Sequence, residues 1–379
     1  MRVLFLSVFT GGGHLGAAMA LEKYINKVDS TSKTLIVDVL DYVSPAVSKI
    51  VVKTYMSMLK WTPKLYGKMY NTSDANDCLI GENLNFFGSK VSALFSFKIN
   101  RLVNKFNPDI VVCTHPFALQ MVKNLGIPTI AILTDYDIHP LWIKECINAY
   151  IIPHEYLVDG VIEKGVERQK IYTFGIPVED KFFDTFERKD ILNEFGLKDK
   201  TTFLIMGGSL GLGKIEEIFL KLIESEKDFQ MVVVTGSNKK LKNRLQKQLE
   251  YIRKDVVILD YTDKINKLME VADFIITKPG GLTVAESLIK KLPICIISPI
   301  PGQEEKNTNF LVNCGVAIRL KEDYDIDSFL DEVMDDEIKL NNMREIAGIL
   351  SKPNACRDIY NLMCELVLEN NLNKRRCSY

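Results

Sequence analysis

Short apolar runs alternate with stretches of helical period along the whole chain. Val3-Leu4-Phe5-Leu6-Ser7-Val8 has the near-continuous hydrophobicity of a strand covered on both faces, and Gly11-Gly12-Gly13 closes it with a turn. From Leu15 to Asn26, the residues Ala18, Leu21 and Ile25 fall on one face of a helix. Strand-like runs follow at Leu35 to Val39, Ile110 to Cys113, Thr129 to Leu133 and Tyr150 to Ile152. The alternation pauses at Gly175-Ile176-Pro177-Val178, where the proline restricts its neighbour, and resumes at Thr201. The second series of strands is Phe203 to Met206, Met231 to Thr235, Val256 to Leu259, Phe274 to Thr277, Ile294 to Ile297 and Val316 to Ile318. Helices such as Lys239 to Tyr251 and Leu282 to Lys290 separate them. A last helix, Ala355 to about Leu368, presents Ile359, Leu362 and Leu366 and leads into Lys374-Arg375-Arg376. This pattern predicts an α/β fold, with two Rossmann-like doubly wound domains facing a central cleft. The expected boundaries are 1–177, 178–350 and, for a C-terminal helix and basic tail packing back towards the first domain, 351–379. A chain of 379 residues suits two cores better than one.

Charge and cysteine usage narrow the class. Lys and Arg number 48 against 49 Asp and Glu, for a net charge of -1, which argues against a nucleic-acid binder. The eight cysteines, Cys78, Cys113, Cys146, Cys295, Cys314, Cys356, Cys364 and Cys377, form no Cys-x-x-Cys pair and read as reduced thiols of a cytosolic protein. No apolar run approaches the ~18 residues that span a bilayer. Arg2 and the run Val3 to Phe9 imitate a secretion signal, but Gly11-Gly12-Gly13-His14 breaks the pattern.

The richest motif is Thr277-Lys278-Pro279-Gly280-Gly281-Leu282-Thr283-Val284-Ala285-Glu286, which joins a strand to a helix. Gly280 and Gly281 let backbone N–H groups approach an anion, Thr283 adds a hydroxyl, and the positive end of the helix faces the same place. Glu286, one turn in, is placed to hold a ribose diol. Gly207-Gly208-Ser209-Leu210-Gly211-Leu212-Gly213 follows the first strand of the second series. Its spacing departs from a dinucleotide fingerprint and Thr235-Gly236 stands where that fold keeps an acid, so neither a nicotinamide nor a flavin cofactor is expected. Gly208 and Ser209 would supply the other side of a diphosphate cradle, while Gly211 and Gly213 can serve a tight turn. In Pro301-Gly302-Gln303-Glu304-Glu305, Gln303 and Glu304 can grip vicinal sugar hydroxyls; equally, Glu304 and Glu305 can favour the start of a helix.

In the first half, His14 closes a glycine loop, where a histidine can take a proton from a hydroxyl or bond to backbone. His115 and the stretch Asp135-Tyr136-Asp137-Ile138-His139 also follow strands. Asp135 is expected to orient His14 or an acceptor hydroxyl, in preference to binding a metal with Asp137. Between Asp41 and Asp74 there is no acidic residue, and Lys49, Lys53, Lys60, Lys64 and Lys68 interleave with Tyr55, Trp61 and Tyr66. That suits an anionic lipid surface, with Lys53, Tyr55, Lys60, Trp61, Lys64 and Tyr66 as contacts, or an ordinary amphipathic helix.

The Gly-Gly-Gly-His14 loop, Thr134-Asp135 to Trp142, Phe174-Gly175-Ile176-Pro177, Met206-Gly207-Gly208, Thr277 to Gly281 and Pro301 to Glu304 stand in one order along the chain. In that order they resemble processive diacylglycerol glucosyltransferases and plant monogalactosyldiacylglycerol synthases, of the GT-B fold. The resemblance implies an inverting transferase that moves a hexose, glucose or galactose, from a UDP-sugar to diacylglycerol or a glycosyl-diacylglycerol without a bound metal or other cofactor. It implies that Glu286 holds the uridine ribose, that backbone around Tyr261 meets the uracil, and that Gly208, Gly281 and Thr283 hold the diphosphate. Gln303 and Glu304 would read the sugar and His14 would be the base. It further implies a cytoplasmic enzyme bound peripherally to the inner face of the cell membrane. A transferase using another lipid or polyprenyl acceptor, a UDP-GlcNAc 2-epimerase-like enzyme, or an added role as a UDP-sugar sensor would use the same donor site.

Overall fold

Two parallel sheets organise the chain in the computed structural model, which describes residues 1–9, 12–61, 67, 88–122, 125–211, 213–321 and 325–376. The first sheet contains β1 (Arg2–Ser7), β2 (Lys33–Asp38), β3 (Ile110–Cys113), β4 (Thr129–Ile132), β5 (Ala149–Ile151) and β6 (Ile171–Tyr172), in the order β2-β1-β3-β4-β5-β6. The second contains β7 (Thr202–Met206), β8 (Gln230–Val234), β9 (Asp255–Leu259), β10 (Phe274–Thr277), β11 (Ile294–Ile296) and β12 (Ala317–Arg319), in the order β12-β11-β10-β7-β8-β9. Every pairing is parallel, with Phe5 beside Val112 in the first sheet and Thr277 beside Met206 in the second.

Burial on both faces explains the continuous apolar runs. Alternate residues of the first sheet divide between two cores: Leu4, Leu6, Val111 and Cys113 face one, and Val3, Phe5, Ile110 and Val112 the other. Helix Gly13–Val28 covers the second of these faces through Ala18, Leu21 and Ile25. The C-terminal helix, Ala355–Arg376, joins it there through Cys356, Ile359, Leu362 and Met363. Met1–Glu179, Ile300–Gln303 and the segment from Lys352 form one compact unit, and Asp180–Pro299 with Glu304–Ser351 forms the other. Ile359 is fully buried in the first. Ile359→Ala is expected to destabilise that unit by about 2–5 kcal/mol, read as a lower midpoint in denaturant unfolding.

Each sheet reverses its direction of growth once. β2 lies on one side of β1 and β3 on the other; likewise β8 and β9 lie on one side of β7, and β10 to β12 on the other. The loops leaving such a pair of neighbours diverge, which opens a crevice at the carboxyl ends of the strands. The carboxyl ends of β1 and β3, and of β7 and β10, are therefore where chemistry is to be sought.

The structure adds elements that periodicity missed. The expected pause before Thr201 holds a helix, Arg188–Phe195, capped by Gly196 in the left-handed conformation. Its charged sequence disguised it, since only Ile191 and Leu192 are buried, packed on Val271. The strand β6 is two residues long, too short to show a period. The last helix runs to Arg376 instead of stopping near Leu368.

Candidate active site

At the first switch point, side chains tie the strand ends together. Thr114, just past β3, donates its hydroxyl to the Ser7 hydroxyl at the end of β1, at 2.9 Å. Gly12, with φ 86°, supplies the left-handed turn that starts helix Gly13–Val28, so His14 falls in its first turn. The His14 Nδ1 lies 2.8 Å from the Thr114 carbonyl oxygen and 2.7 Å from the Thr134 hydroxyl. A carbonyl can only accept, so Nδ1 carries the proton and Nε2 keeps its lone pair. Burial lowers the imidazole pKa to about 4, against the opposing effect of the Thr114 carbonyl. His14 is therefore neutral, in one tautomer, with Nε2 ready to accept a proton.

The other histidines are used differently. His115 meets the His14 ring edge-on at 4.4 Å between centroids, and burial followed by the neighbouring His14 holds it well below the usual imidazole range. Its Nδ1 accepts the Phe117 N–H at 3.1 Å and caps helix Pro116–Met121. His139 and His154 do the same for the N–H groups of Leu141 and Tyr156. Unlike these three, whose Nδ1 accepts a backbone N–H, His14 places Nδ1 against a carbonyl. Asp135 is buried beside Thr134 in the chain, and the hydroxyl next to His14 is that of Thr134. The sequence assigns no role to Thr114, or to Thr134 within its Thr134-Asp135 motif; their approach to His14 emerges from the geometry.

The second switch point gathers the glycine loops. Past β10, Gly280 (φ -68°, ψ 133°) begins helix Gly281–Ile289 without a side-chain cap, so the first N–H groups of that helix have no partner within it. A Cβ at Gly280 would meet nothing within 4 Å, and the same is true of Gly208 (φ 69°) past β7. These two glycines border open space. Gly211 and Gly236 do not: a Cβ would stand 2.1 Å from the Thr235 carbonyl oxygen in the first case and 2.4 Å from that of Ser209 in the second. Both hold the β7 and β8 loops together, and the Ser209 carbonyl also accepts the Ser237 N–H at 2.9 Å.

Thr283 and Glu286 are half-buried in the first turns of helix Gly281–Ile289. Helix Gln303–Asn313 starts with Gln303 and Glu304. Asn307, fully buried on that helix, donates its Nδ2 to the Pro279 carbonyl at 2.9 Å. Lys278 pairs with Glu304 at 2.9 Å, with both side chains largely buried, and its stem crosses Gly213. Sequence reasoning passed over Lys278, whose place beside the glycine loops depends on strand order. Tyr261 stands exposed just beyond β9, the edge strand. N–H groups without a partner inside their helix, a positive helix end and a lysine near the glycine loops suit a phosphorylated ligand.

Of the basic aromatic segment, helix Pro45–Trp61 contains Lys53, Tyr55, Lys60 and Trp61, with Lys53 exposed; Lys64 and Tyr66 lie outside the described residues. Lys49 and Ile50 on the same helix are also exposed. Among the described residues no helix is long and apolar enough to cross a membrane.

Two doubly wound parallel-sheet units, each with its loops at the sheet's switch point, define the GT-B class of glycosyltransferase folds. Over 95% of each chain aligns with Acinetobacter baumannii MurG, at a TM-score of 0.61 and 14% identity (96% of this chain, 99% of that one). The UDP-GlcNAc 2-epimerase of Neisseria meningitidis matches at a TM-score of 0.59 and 15% identity, covering 97% and 100%, so fold alone does not separate transferase from epimerase. Residues 14–178 match the monogalactosyldiacylglycerol (MGDG) synthase model and residues 202–357 the glycosyltransferase family 28 C-terminal domain, and the chain belongs to this glycosyltransferase family. It is 28% identical over 371 residues to the processive diacylglycerol beta-glucosyltransferase of Bacillus cytotoxicus, covering 96% of this chain and 93% of that protein. The Bacillus licheniformis enzyme of the same name is 29% identical over 351 residues, covering 91% and 89%.

Proposed function

We infer that this chain transfers a hexose, glucose by preference, from a UDP-sugar to the hydroxyl of diacylglycerol or of a glycosyl-diacylglycerol. The observation that carries the chemistry is the fixed neutral tautomer of His14, set by the Thr114 carbonyl beside Nδ1. Nε2 takes the proton from the acceptor hydroxyl as its oxygen attacks the anomeric carbon, and the bond to UDP breaks on the opposite face. UDP-glucose is an α-glycoside, so the β product in the relatives' name calls for this inversion. Charge building on the departing diphosphate is met by the N–H groups and positive end of helix Gly281–Ile289 and by the open backbone at Gly208. In this reading those donors do the work a metal ion does elsewhere, and no cofactor beyond the UDP-sugar is needed. Glu286 holds the ribose, Tyr261 backbone the uracil, Ser209, Gly280, Gly281 and Thr283 the diphosphate, and Gln303 and Glu304 the sugar.

The acceptor lies in a membrane, so the enzyme works at an anionic surface. Exposed Lys49 and Lys53 flank exposed Ile50 on helix Pro45–Trp61, and each lysine near such a surface contributes about 1 kcal/mol. This supports peripheral attachment to the inner face of the cell membrane. The test supplies labelled UDP-glucose or UDP-galactose with diacylglycerol in vesicles containing anionic lipid, and UDP-GlcNAc in a parallel epimerisation assay. Labelled β-glycolipid, formed faster from UDP-glucose, is expected. Epimerised UDP-sugar without glycolipid would overturn the reading in favour of the fold's other activity.

A further inference from the structure

Lys278 has no role in the reading above, yet it sits at the second switch point with its charge committed. Its Nζ lies 2.9 Å from Glu304 Oε1, and the two side chains keep only 11% and 14% of their accessible surface. The lysine stem is laid against Gly213 (φ 102°), where an added Cβ would lie 3.2 Å from Lys278 Cδ and crowd it. The residue thus runs between the β7 loop and the β10 loop, the two that border the proposed diphosphate. Glu304, its partner, is one of the two residues assigned to the sugar. The hydrogen bond from Asn307 to the Pro279 carbonyl fastens the helix bearing Glu304 to the loop bearing Lys278, so the pair can exchange partners without a shift of backbone.

We propose that the Lys278–Glu304 pair is a donor-sensing switch: a diphosphate at the glycine loops draws Lys278 away, and the carboxylate so released accepts hydrogen bonds from the sugar hydroxyls. This rests on the assignment of the UDP-sugar to this crevice. The physical reason is charge. A largely buried carboxylate held by an ammonium group is a poorer acceptor for sugar hydroxyls than one released from it, while a diphosphate offers the lysine more negative charge than one carboxylate does. Nothing covalent changes, and the exchange couples diphosphate binding to sugar recognition. UDP without a sugar breaks the pair with no hydroxyl to replace Lys278 at Glu304. UDP-glucose does replace it.

The two partners therefore give opposite signs. Calorimetric titration of UDP, UDP-glucose and uridine would use the intact chain, Lys278→Met, Glu304→Gln and the double variant, each first checked for an unaltered thermal transition. Lys278→Met is expected to weaken UDP by about 10- to 100-fold and leave uridine unchanged, the loss of one charge-assisted contact. Glu304→Gln is expected to bind UDP several-fold more tightly than the intact chain, because Lys278 is no longer held, and UDP-glucose more weakly. In the double variant the gain for UDP disappears. If Lys278→Met left UDP affinity intact, or if Glu304→Gln weakened UDP and UDP-glucose equally, the pair would be structural and the switch wrong. Failure of the intact chain to bind UDP or UDP-glucose would instead remove the donor assignment, a distinct result. A variant that melts early is replaced by Lys278→Gln or Glu304→Ala, to which the same signs apply.

Discussion

His14→Ala is expected to reduce glycolipid formation by roughly 10²- to 10⁴-fold while UDP binds as before, since it removes the proton acceptor and no donor contact. The pH profile sharpens this. Burial sets the imidazole at about 4, so the active neutral form predominates at every pH well above that value and is lost only as pH falls towards it. Activity in the intact enzyme should thus show no step near 6.5 from this residue. Stability should show one. Below 6.5 the unfolded chain protonates His14 while the folded chain does not until about 4, so the unfolded state binds more protons across that interval. This contribution to stability is complete above 6.5 and diminishes as pH falls from 6.5 to 4; the Ala variant lacks it. Thr134→Val, which removes the hydroxyl beside Nδ1 and keeps the Thr114 carbonyl, is expected to lower the rate about 3- to 10-fold. Stopped-point transfer assays and thermal melts across this pH range read both effects. A normal rate in His14→Ala would assign the base elsewhere.

Gly211→Ala should be the most damaging of the glycine substitutions in the second unit. Its φ of 57° is left-handed, costing an alanine about 1–2 kcal/mol, and the new methyl group would stand 2.1 Å from the Thr235 carbonyl oxygen and 2.9 Å from Asn238 Cβ. Neither neighbour is the loose end of a side chain, since Asn238 caps helix Lys239–Gln248 and also donates to the Gly211 carbonyl. Backbone must move, at a further cost of about 1–3 kcal/mol, for a total of roughly 2–5 kcal/mol. Gly208→Ala provides the contrast. It meets the same left-handed penalty but open space, so it should cost about 1–2 kcal/mol in stability and show its main effect as weaker UDP binding. Denaturant titration of the two variants, beside calorimetry with UDP, separates the packing glycine from the ligand-facing one. Equal stability losses would mean that the β7 loop yields easily at Gly211.

The strand runs of both halves were legible because a buried parallel strand needs an unbroken apolar sequence. All four residues of Ile110–Cys113 and all five of Thr202–Met206 are buried, as their composition required. Helix Arg188–Phe195 escaped notice because its charged face outweighs the two residues it buries. The glycine motifs were recognisable as loops, but sequence could not sort them: Gly208 and Gly211 belong to one motif, and only their surroundings reveal which faces open space and which touches Thr235.

By itself, then, the sequence determined the βα alternation of both halves apart from the two-residue β6, and the placement of the loops at Gly11–Gly13, Gly207–Gly213 and Gly280–Gly281 after strands, because those depend on local side-chain period and backbone freedom. Which loops meet was decided only by the tertiary structure. Strand order sets β4 beside β3 and β3 beside β1, and with them the approach of Thr134 to His14 across 120 residues; it also sets β11 and β7 on either side of β10, and with them the pairing of Lys278 with Glu304 next to Gly213. That order is fixed by how the connecting helices pack on the sheet, a non-local balance of buried surface that no window of sequence contains.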